Sequence, residues 1–314
     1  MKTSQEADSA WGKANFWSWQ GLYCHWRVLG EENKKAIVLI HGFGASSSHW
    51  RNNGLFFARK GFRVYALDLI GFGKSEQPKG SANKYLDNEI WANQVTDFIK
   101  EIVQISKEEK VILVGNSLGG LVAITSLKLK PNLVEAVIAS PLPDPALMQS
   151  KQLNIPSWIR TIKNKIIILF FTLLPLEVLI PLIIRTGVIN SGLQLAYNKP
   201  ILKDIELKRI IRKPAQRKTA ARALRSMCIG MSIRKAECTA PNLLNSLMKK
   251  AYTPPILLLW GREDKLVPLK IGQKLTKDYP CLQLLIMEGA GHCPHDESPK
   301  TFNQYVLNWL KINL

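Results

Sequence analysis

The sequence is poor in the features that mark several large protein classes. Its five cysteines (Cys24, Cys228, Cys238, Cys281 and Cys293) form an odd, scattered set without a C-x-x-C pair. That leaves no basis for a disulfide framework or a structural zinc site, and the five read as reduced thiols. No H-E-x-x-H or comparable ligand cluster is present, so no metal is expected. The amino terminus, MKTSQEADSAWGKANFW, has neither an apolar h-region nor a small-residue cleavage site behind it. The expectation is therefore no signal peptide and an intracellular location, cytoplasmic or peripherally membrane-associated. Gly73-Lys74-Ser75 imitates the end of a nucleotide-binding P-loop, but Asp68 stands where that loop needs its first glycine. Gly42-x-Gly44 and Gly71-x-Gly73 both lack the third glycine of a dinucleotide fingerprint. No cofactor is expected.

Acidic residues are scarce too. Against 43 Lys and Arg there are 24 Asp and Glu, a net charge of +19. Between Pro141 and Lys250, 19 basic residues face five acids, so +14 of that excess lies in about a third of the chain. The remainder is nearly balanced. With 46% hydrophobic and 21% charged residues the composition is globular, far from the regime of disordered chains. Its 314 residues exceed the usual domain of about 100 to 150, so one large domain or a core with an insertion is expected.

Short apolar runs alternate with helical patterns over most of the chain, the signature of a parallel sheet covered by helices. AIVLIH (36–41), RVYALDL (63–69), KVILVGN (110–116), VEAVIAS (134–140), PILLLWG (255–261) and LQLLIME (282–288) carry the β-branched and aliphatic residues of strands buried on both faces. LYCHWRV (22–28) alternates as an antiparallel edge strand would. Helices are expected from Asn88 to about Ile105, from Leu118 to the stop at Pro131, and from Pro299 to about Ile312. Residues 141–250 break this rhythm and read as an insertion between two strands.

Gly115-Asn116-Ser117-Leu118-Gly119 follows directly on a strand and opens directly into a helix, the context that G-x-S-x-G requires. A serine at so tight a turn is held in strained φ/ψ, tolerated when its neighbours are small, and its hydroxyl stands clear of the backbone. The amide dipoles of the helix that begins there favour developing negative charge. A hydroxyl needs a base, and the base needs an acid to fix its tautomer. Of the five histidines (His25, His41, His49, His292 and His295), His292 follows the last strand, where a loop reaches the carboxyl ends of the sheet. The acid comes from Trp260-Gly261-Arg262-Glu263-Asp264, after the preceding strand. Both Glu263 and Asp264 are available there. Two backbone N–H groups can form an oxyanion hole, those of Leu118 and of Phe43 in His41-Gly42-Phe43-Gly44. His41 and His49 read as structural histidines bonded to neighbouring backbone, and Cys293 and His295 as neighbours of His292.

These residues resemble the α/β-hydrolases, with VLIHGFGASSSHW, YALDLIGFGKSEQP, ILVGNSLGG, LLLWGREDKLVP and GAGHCPHDESP in the expected order. The likeness covers about residues 15–140 and 252–312. The G-N-S-L-G-G elbow with G-H-C-P-H-D-E is similar to the plant and cyanobacterial pheophytinase-like branch. The resemblance implies an α/β-hydrolase fold with a mostly parallel sheet flanked by helices and a helical lid inserted after the sixth strand. Residues 1–140 and 251–314 would form the core and 141–250 a basic, apolar lid or cap. It implies a triad of Ser117, Asp264 and His292, which prefers Asp264 over Glu263, and an oxyanion hole at Phe43 and Leu118. The expected activity is that of a serine carboxylesterase on a small lipophilic ester, dephytylation included, through an acyl-enzyme. Ser117 argues against the dehalogenases and epoxide hydrolases of this fold, which carry aspartate there. The carbon–carbon bond hydrolases share the G-N-S elbow and the W-G-R-x-D loop but usually have an aromatic where Cys293 stands. A non-hydrolytic ligand receptor on the same fold is the remaining alternative.

Ile166 to Ile184 reads IIILFFTLLPLEVLIPLII, nearly the ~20 residues of a membrane-spanning helix. A single span would put Ser117 and His292 on opposite sides of a bilayer, so short lid helices and an interfacial contact are the expected readings. Lys199 to Arg225 carries ten basic residues with only Tyr197 close by for stacking. That argues against nucleic acid and for peripheral contact with an anionic membrane through the lid.

Overall fold

The structure is a computed structural model describing residues 11–78, 85–106, 108–148, 156–186, 188–250 and 253–314. Eight strands form one sheet: β1 (Lys13–Trp19), β2 (Leu22–Leu29), β3 (Lys35–Ile40), β4 (Phe62–Leu67), β5 (Val111–Asn116), β6 (Val134–Ser140), β7 (Ile256–Gly261) and β8 (Leu282–Met287). Their order is β1-β2-β4-β3-β5-β6-β7-β8. β1 and β2 are antiparallel to their neighbours and the other pairs are parallel. After β3 the chain turns toward β4, and after β5 it turns the other way, toward β6. The carboxyl ends of β3 and β5 therefore flank the switch point where an open α/β sheet leaves a crevice.

The helices are α1 (Gly54–Arg59), α2 (Asn88–Phe98), α3 (Leu118–Leu129), α4 (Ser157–Leu173), α5 (Leu176–Arg185), α6 (Val188–Leu195), α7 (Ile205–Ala215), α8 (Ala220–Ile233), α9 (Ala240–Met248), α10 (Leu269–Asp278), α11 (Pro294–Glu297) and α12 (Pro299–Asn313). Because strand side chains alternate, each strand feeds two cores. Val38, Leu113, Val137 and Leu258 meet α2, α3, α9 and α10 on one face. Ile37, Ile112, Ile138 and Leu257 meet Phe57 of α1 and Phe302 and Val306 of α12 on the other. Burial on both faces explains why these strands read as continuous apolar runs.

Two sequence expectations need correction. β2 is antiparallel, but it is not at the edge: Lys13–Trp19 pairs with it along its length, Lys13 opposite Val28 and Trp19 opposite Leu22. The helix expected to run to about Ile105 leaves α geometry after Phe98, continues as a π turn over Ile99–Val103, and stops at Gln104 with φ 53°. Between β6 and β7 the described residues form six α-helices. α9 packs Leu243, Leu244 and Leu247 into the same core as α3, whereas α4 has no buried residue. Among the described residues no single helix is long and apolar enough to cross a membrane. α4 and α5 together reach that length but meet at a 57° bend.

Candidate active site

Ser117 sits where β5 ends and α3 begins, at φ 52° and ψ −118°. Few non-glycine residues adopt that backbone, and it persists only where the surroundings over-determine it. They do here. A Cβ on Gly115 would lie 2.1 Å from the Gly119 carbonyl oxygen, and one on Gly119 would lie 2.1 Å from the Ile40 carbonyl oxygen. The turn can close only because those positions have no side chain. The Ser117 amide donates to the Ser140 carbonyl at 2.9 Å, fixing the elbow to the end of β6.

His292 Nε2 lies 2.8 Å from Ser117 Oγ, and His292 Nδ1 lies 2.9 Å from Asp264 Oδ2. Asp264 Oδ1 accepts the backbone N–H groups of Leu266 and Val267, each at 2.9 Å. The carboxylate is thus an acceptor on both oxygens, which places the imidazole proton on Nδ1 and leaves the Nε2 lone pair facing the serine hydroxyl. Glu263 points elsewhere: its carboxylate Oε2 is buried without a hydrogen-bond partner among the described residues. The His292 backbone is held at both ends, its N–H donating to the Ala196 carbonyl at 2.8 Å and its carbonyl accepting Asn116 Nδ2 at 3.1 Å. Asn116 also donates to the Ser140 carbonyl. A buried asparagine directly ahead of the elbow serine is a positioning residue that the sequence reading passed over.

Leu118 opens α3, so its N–H precedes the first intrahelical acceptor and is free to face a ligand. The loop after β3 approaches it closely, since a Cβ on Gly42 would come within 3.3 Å of the Ser117 Cβ. Phe43 follows on that loop. His41 is bonded as expected of a structural histidine: Nε2 accepts the Leu69 N–H at 3.0 Å, so Nδ1–H donates to the Gly42 carbonyl at 2.8 Å. Burial lowers its pKa and keeps it neutral. Asp68, fully buried, accepts the Ser47 amide (2.6 Å), the Lys74 amide (2.8 Å) and His25 Nδ1 (3.0 Å). Burial alone would raise its pKa, but the bond from His25 and the Lys74 amide hold it well below the usual range. Asp68 therefore ties the loop bearing Phe43 to the loop after β4.

His49 departs from the expectation of a backbone partner. Its Nε2 lies 2.8 Å from the hydroxyl of Tyr197, in the stretch between β6 and β7, and that hydroxyl donates to Asp296 Oδ2 at 3.0 Å. Burial holds His49 neutral, its pKa lowered to about 4. Arg51 bridges Asp296 and Asp204. His295 is buried 4.2 Å from the Trp50 ring, and burial also pushes up the Cys293 thiol, so neither is poised for proton transfer or nucleophilic attack. Among the described residues no group of three or more His, Cys, Asp or Glu is arranged to hold a metal ion.

Beside the loop that carries Phe43 lies an apolar cavity of about 530 Å³. Phe43, Gly44 and Phe72 wall it from the core side, and Ile183, Leu193 and Met227 from the insertion. Ser117 is not among its lining residues; the cavity borders the loop after β3 at Phe43 and Gly44.

The chain matches the alpha/beta hydrolase family over residues 37–305. It is 25% identical over 302 residues to the AB hydrolase superfamily protein YfhM of Bacillus subtilis, covering 95% of this chain and 98% of that one. To the chloroplastic pheophytinase of Arabidopsis thaliana it is 26% identical over 330 residues, covering 92% of this chain and 64% of the relative. A thermophilic esterase from Thermogutta terrifontis has the same fold, with a TM-score of 0.68 at 18% identity, over 96% of this chain and all of that one. The chain belongs to the alpha/beta hydrolase family.

Proposed function

We propose that the protein is a serine carboxylesterase that cleaves lipophilic esters through an acyl-enzyme on Ser117. The observation that carries this reading is the His292 ring, with one nitrogen 2.8 Å from Ser117 Oγ and the other 2.9 Å from Asp264. Ser117 Oγ attacks the ester carbonyl carbon while His292 Nε2 takes the hydroxyl proton. The imidazolium so formed faces Asp264, and the carbonyl oxygen, now negative, faces the N–H groups of Leu118 and Phe43. His292 then returns the proton to the leaving alkoxide, which departs as the alcohol. A water, deprotonated by the same Nε2, attacks the acyl-enzyme and restores the serine.

The substrate class follows from the cavity, whose walls supply apolar surface and little that could hydrogen-bond. A cavity of this size suits one long hydrocarbon chain or a ring system, carried by either side of the ester. The helices α4 to α8 are then the lid over that cavity. Pheophytinase-like removal of a phytyl chain is the finer form of this reading, and its support is the similarity already described.

The test is turnover of chromogenic esters of increasing acyl length, together with labelling by a fluorophosphonate. Wild-type protein should turn over repeatedly and label once, and Ser117→Ala should do neither. Labelling that persists in Ser117→Ala places the nucleophile elsewhere, and stoichiometric binding of the ester without turnover makes the protein a receptor on a hydrolase fold.

A further inference from the structure

The outer surface of α4 and α5 runs against the pattern of a water-facing helix. Trp158, Ile162, Ile166, Leu169, Phe170 and Leu173 of α4 all face solvent, Leu173 at 72% exposure. Their spacing of three and four puts them on one stripe. The opposite side of the helix, Ile167, Ile168 and Phe171, is half-buried and packs on α8. The stripe continues on α5 with Val178 and Leu182. Folded proteins rarely leave so continuous an apolar strip to water without a partner.

The charge around the strip says which partner. Arg160, Lys163, Lys165, Arg185, Lys218 and Arg222 are exposed beside it. The one acid on α4 and α5, Glu177, is neutralised in place by Arg225, whose Nη1 and Nη2 donate to it at 2.8 and 2.9 Å. The same guanidinium donates to the carbonyls of Phe171 and Leu174 at the break between the helices. The bend is thereby anchored to α8 with its last carbonyls satisfied. A rigid apolar ridge ringed by cations, with no free anion on it, matches a surface that is oily inside and negative at its face.

We propose that the bent pair α4–α5 docks the protein on an anionic lipid bilayer, lying in the interface with its apolar stripe among the acyl chains. It does not span. β6 and β7, which precede and follow the insertion, are hydrogen-bonded neighbours in one sheet, so the chain enters and leaves on one side. α5 has the bilayer on one face and the cavity on the other, because Ile180, Ile183 and Ile184 line the cavity and Ile183 is also exposed. A lipophilic ligand can therefore pass from bilayer to cavity along α5. That last step rests on the esterase reading; the docking does not.

Trp158 makes the test direct, since the other eight tryptophans are buried or half-buried. With sedimented vesicles, partitioning should be roughly tenfold stronger onto phosphatidylcholine containing about a third phosphatidylglycerol than onto phosphatidylcholine alone. That margin should shrink as salt rises, exposed charges being screened over about 10 Å at 0.1 M. Brominated lipid should quench fluorescence in wild type and not in Trp158→Phe. Leu169→Asp with Leu173→Asp should cut partitioning at least tenfold, and Lys163→Gln with Lys165→Gln should reduce only its salt-sensitive part. Hydrolysis of a short soluble ester should be unchanged in both double variants. Vesicle binding without hydrolysis in any form would sink the esterase reading and leave the docking intact. Equal partitioning onto neutral and anionic vesicles, no quenching of Trp158, or a lipid-free dimer that Leu169→Asp dissociates would each overturn the docking.

Discussion

The strain at Ser117 has a measurable counterpart in stability. A non-glycine residue at φ 52°, ψ −118° costs on the order of 1–3 kcal/mol, and the cost comes from the Cβ rather than from the hydroxyl. Ser117→Ala keeps the Cβ and loses the bond to His292; Ser117→Gly loses both. Comparing the two variants with each other therefore isolates the Cβ. Against the released strain stands the extra freedom of glycine in the unfolded chain, about 0.5–1 kcal/mol. The net expectation is that Ser117→Gly is about 1 kcal/mol more stable than Ser117→Ala. At this chain length that is about 2 °C in Tm, within reach of calorimetry. Neither variant should hydrolyse esters. A Ser117→Gly protein equal to or less stable than Ser117→Ala would refute the claim that the backbone at Ser117 is strained.

Asp264→Asn should lower kcat by about four orders of magnitude, the size of loss seen when a triad histidine is left in the wrong tautomer, while Glu263→Gln changes it little; steady-state assays of both decide the acid. Gly192 lines the cavity and a Cβ there meets nothing within 4 Å, so Gly192→Leu should fold normally, preserve acetate ester turnover and raise KM for long-chain esters. Equal loss on both esters would disconnect the cavity from substrate. Asp68→Asn should cost roughly 1.5–3 kcal/mol or more, the worth of a charge-assisted bond lost. Because the folded carboxyl titrates below its unfolded value of about 4, its contribution is complete above that value and disappears as pH falls further. The variant's stability should accordingly fall less steeply in acid than the wild type's, as followed by denaturant unfolding between neutral pH and about pH 3.

Ser117, His292 and Asp264 could be singled out in the sequence because each is announced by its immediate context: an elbow between strand and helix, and two loops following recognisable strands. The structure puts those three side chains within hydrogen-bond reach of one another. The parallel strands were legible for a related reason, since burial on both faces demands unbroken apolar runs. β1 was not. Lys13, Asn15 and Ser18 dilute its pattern, and its burial is confined to the inward Trp17 and Trp19, whose indole N–H groups reach Glu101 and Asp97 far along the chain. The partners of His49 escaped for the same cause: Tyr197 is 148 residues away and Asp296 is farther still. A single sequence shows periodicity and local turn chemistry, whereas pairings of that span exist only once the fold has brought them together.

Those distant pairings also explain why the insertion cannot be treated as a detachable cover. The stretch just after α6 backs His292 itself: the Ala196 carbonyl accepts the His292 amide, and Tyr197 joins His49 to Asp296. Glu297 takes the Gly291 amide on one carboxylate oxygen and the Lys199 amide on the other. Arg51 in turn clamps Asp204, the cap of α7, to Asp296. Removing Arg51 would leave the buried Asp296 carboxylate without its cation, a loss that typically costs about 3–5 kcal/mol, so this side of the insertion is pinned. Leu193 and Ala196 belong to the cavity wall as well. The segment that lines the cavity is therefore also the segment that accepts the His292 N–H. α4 and α5, on the far side of the cavity, are anchored instead to α8, through Arg225 and direct packing.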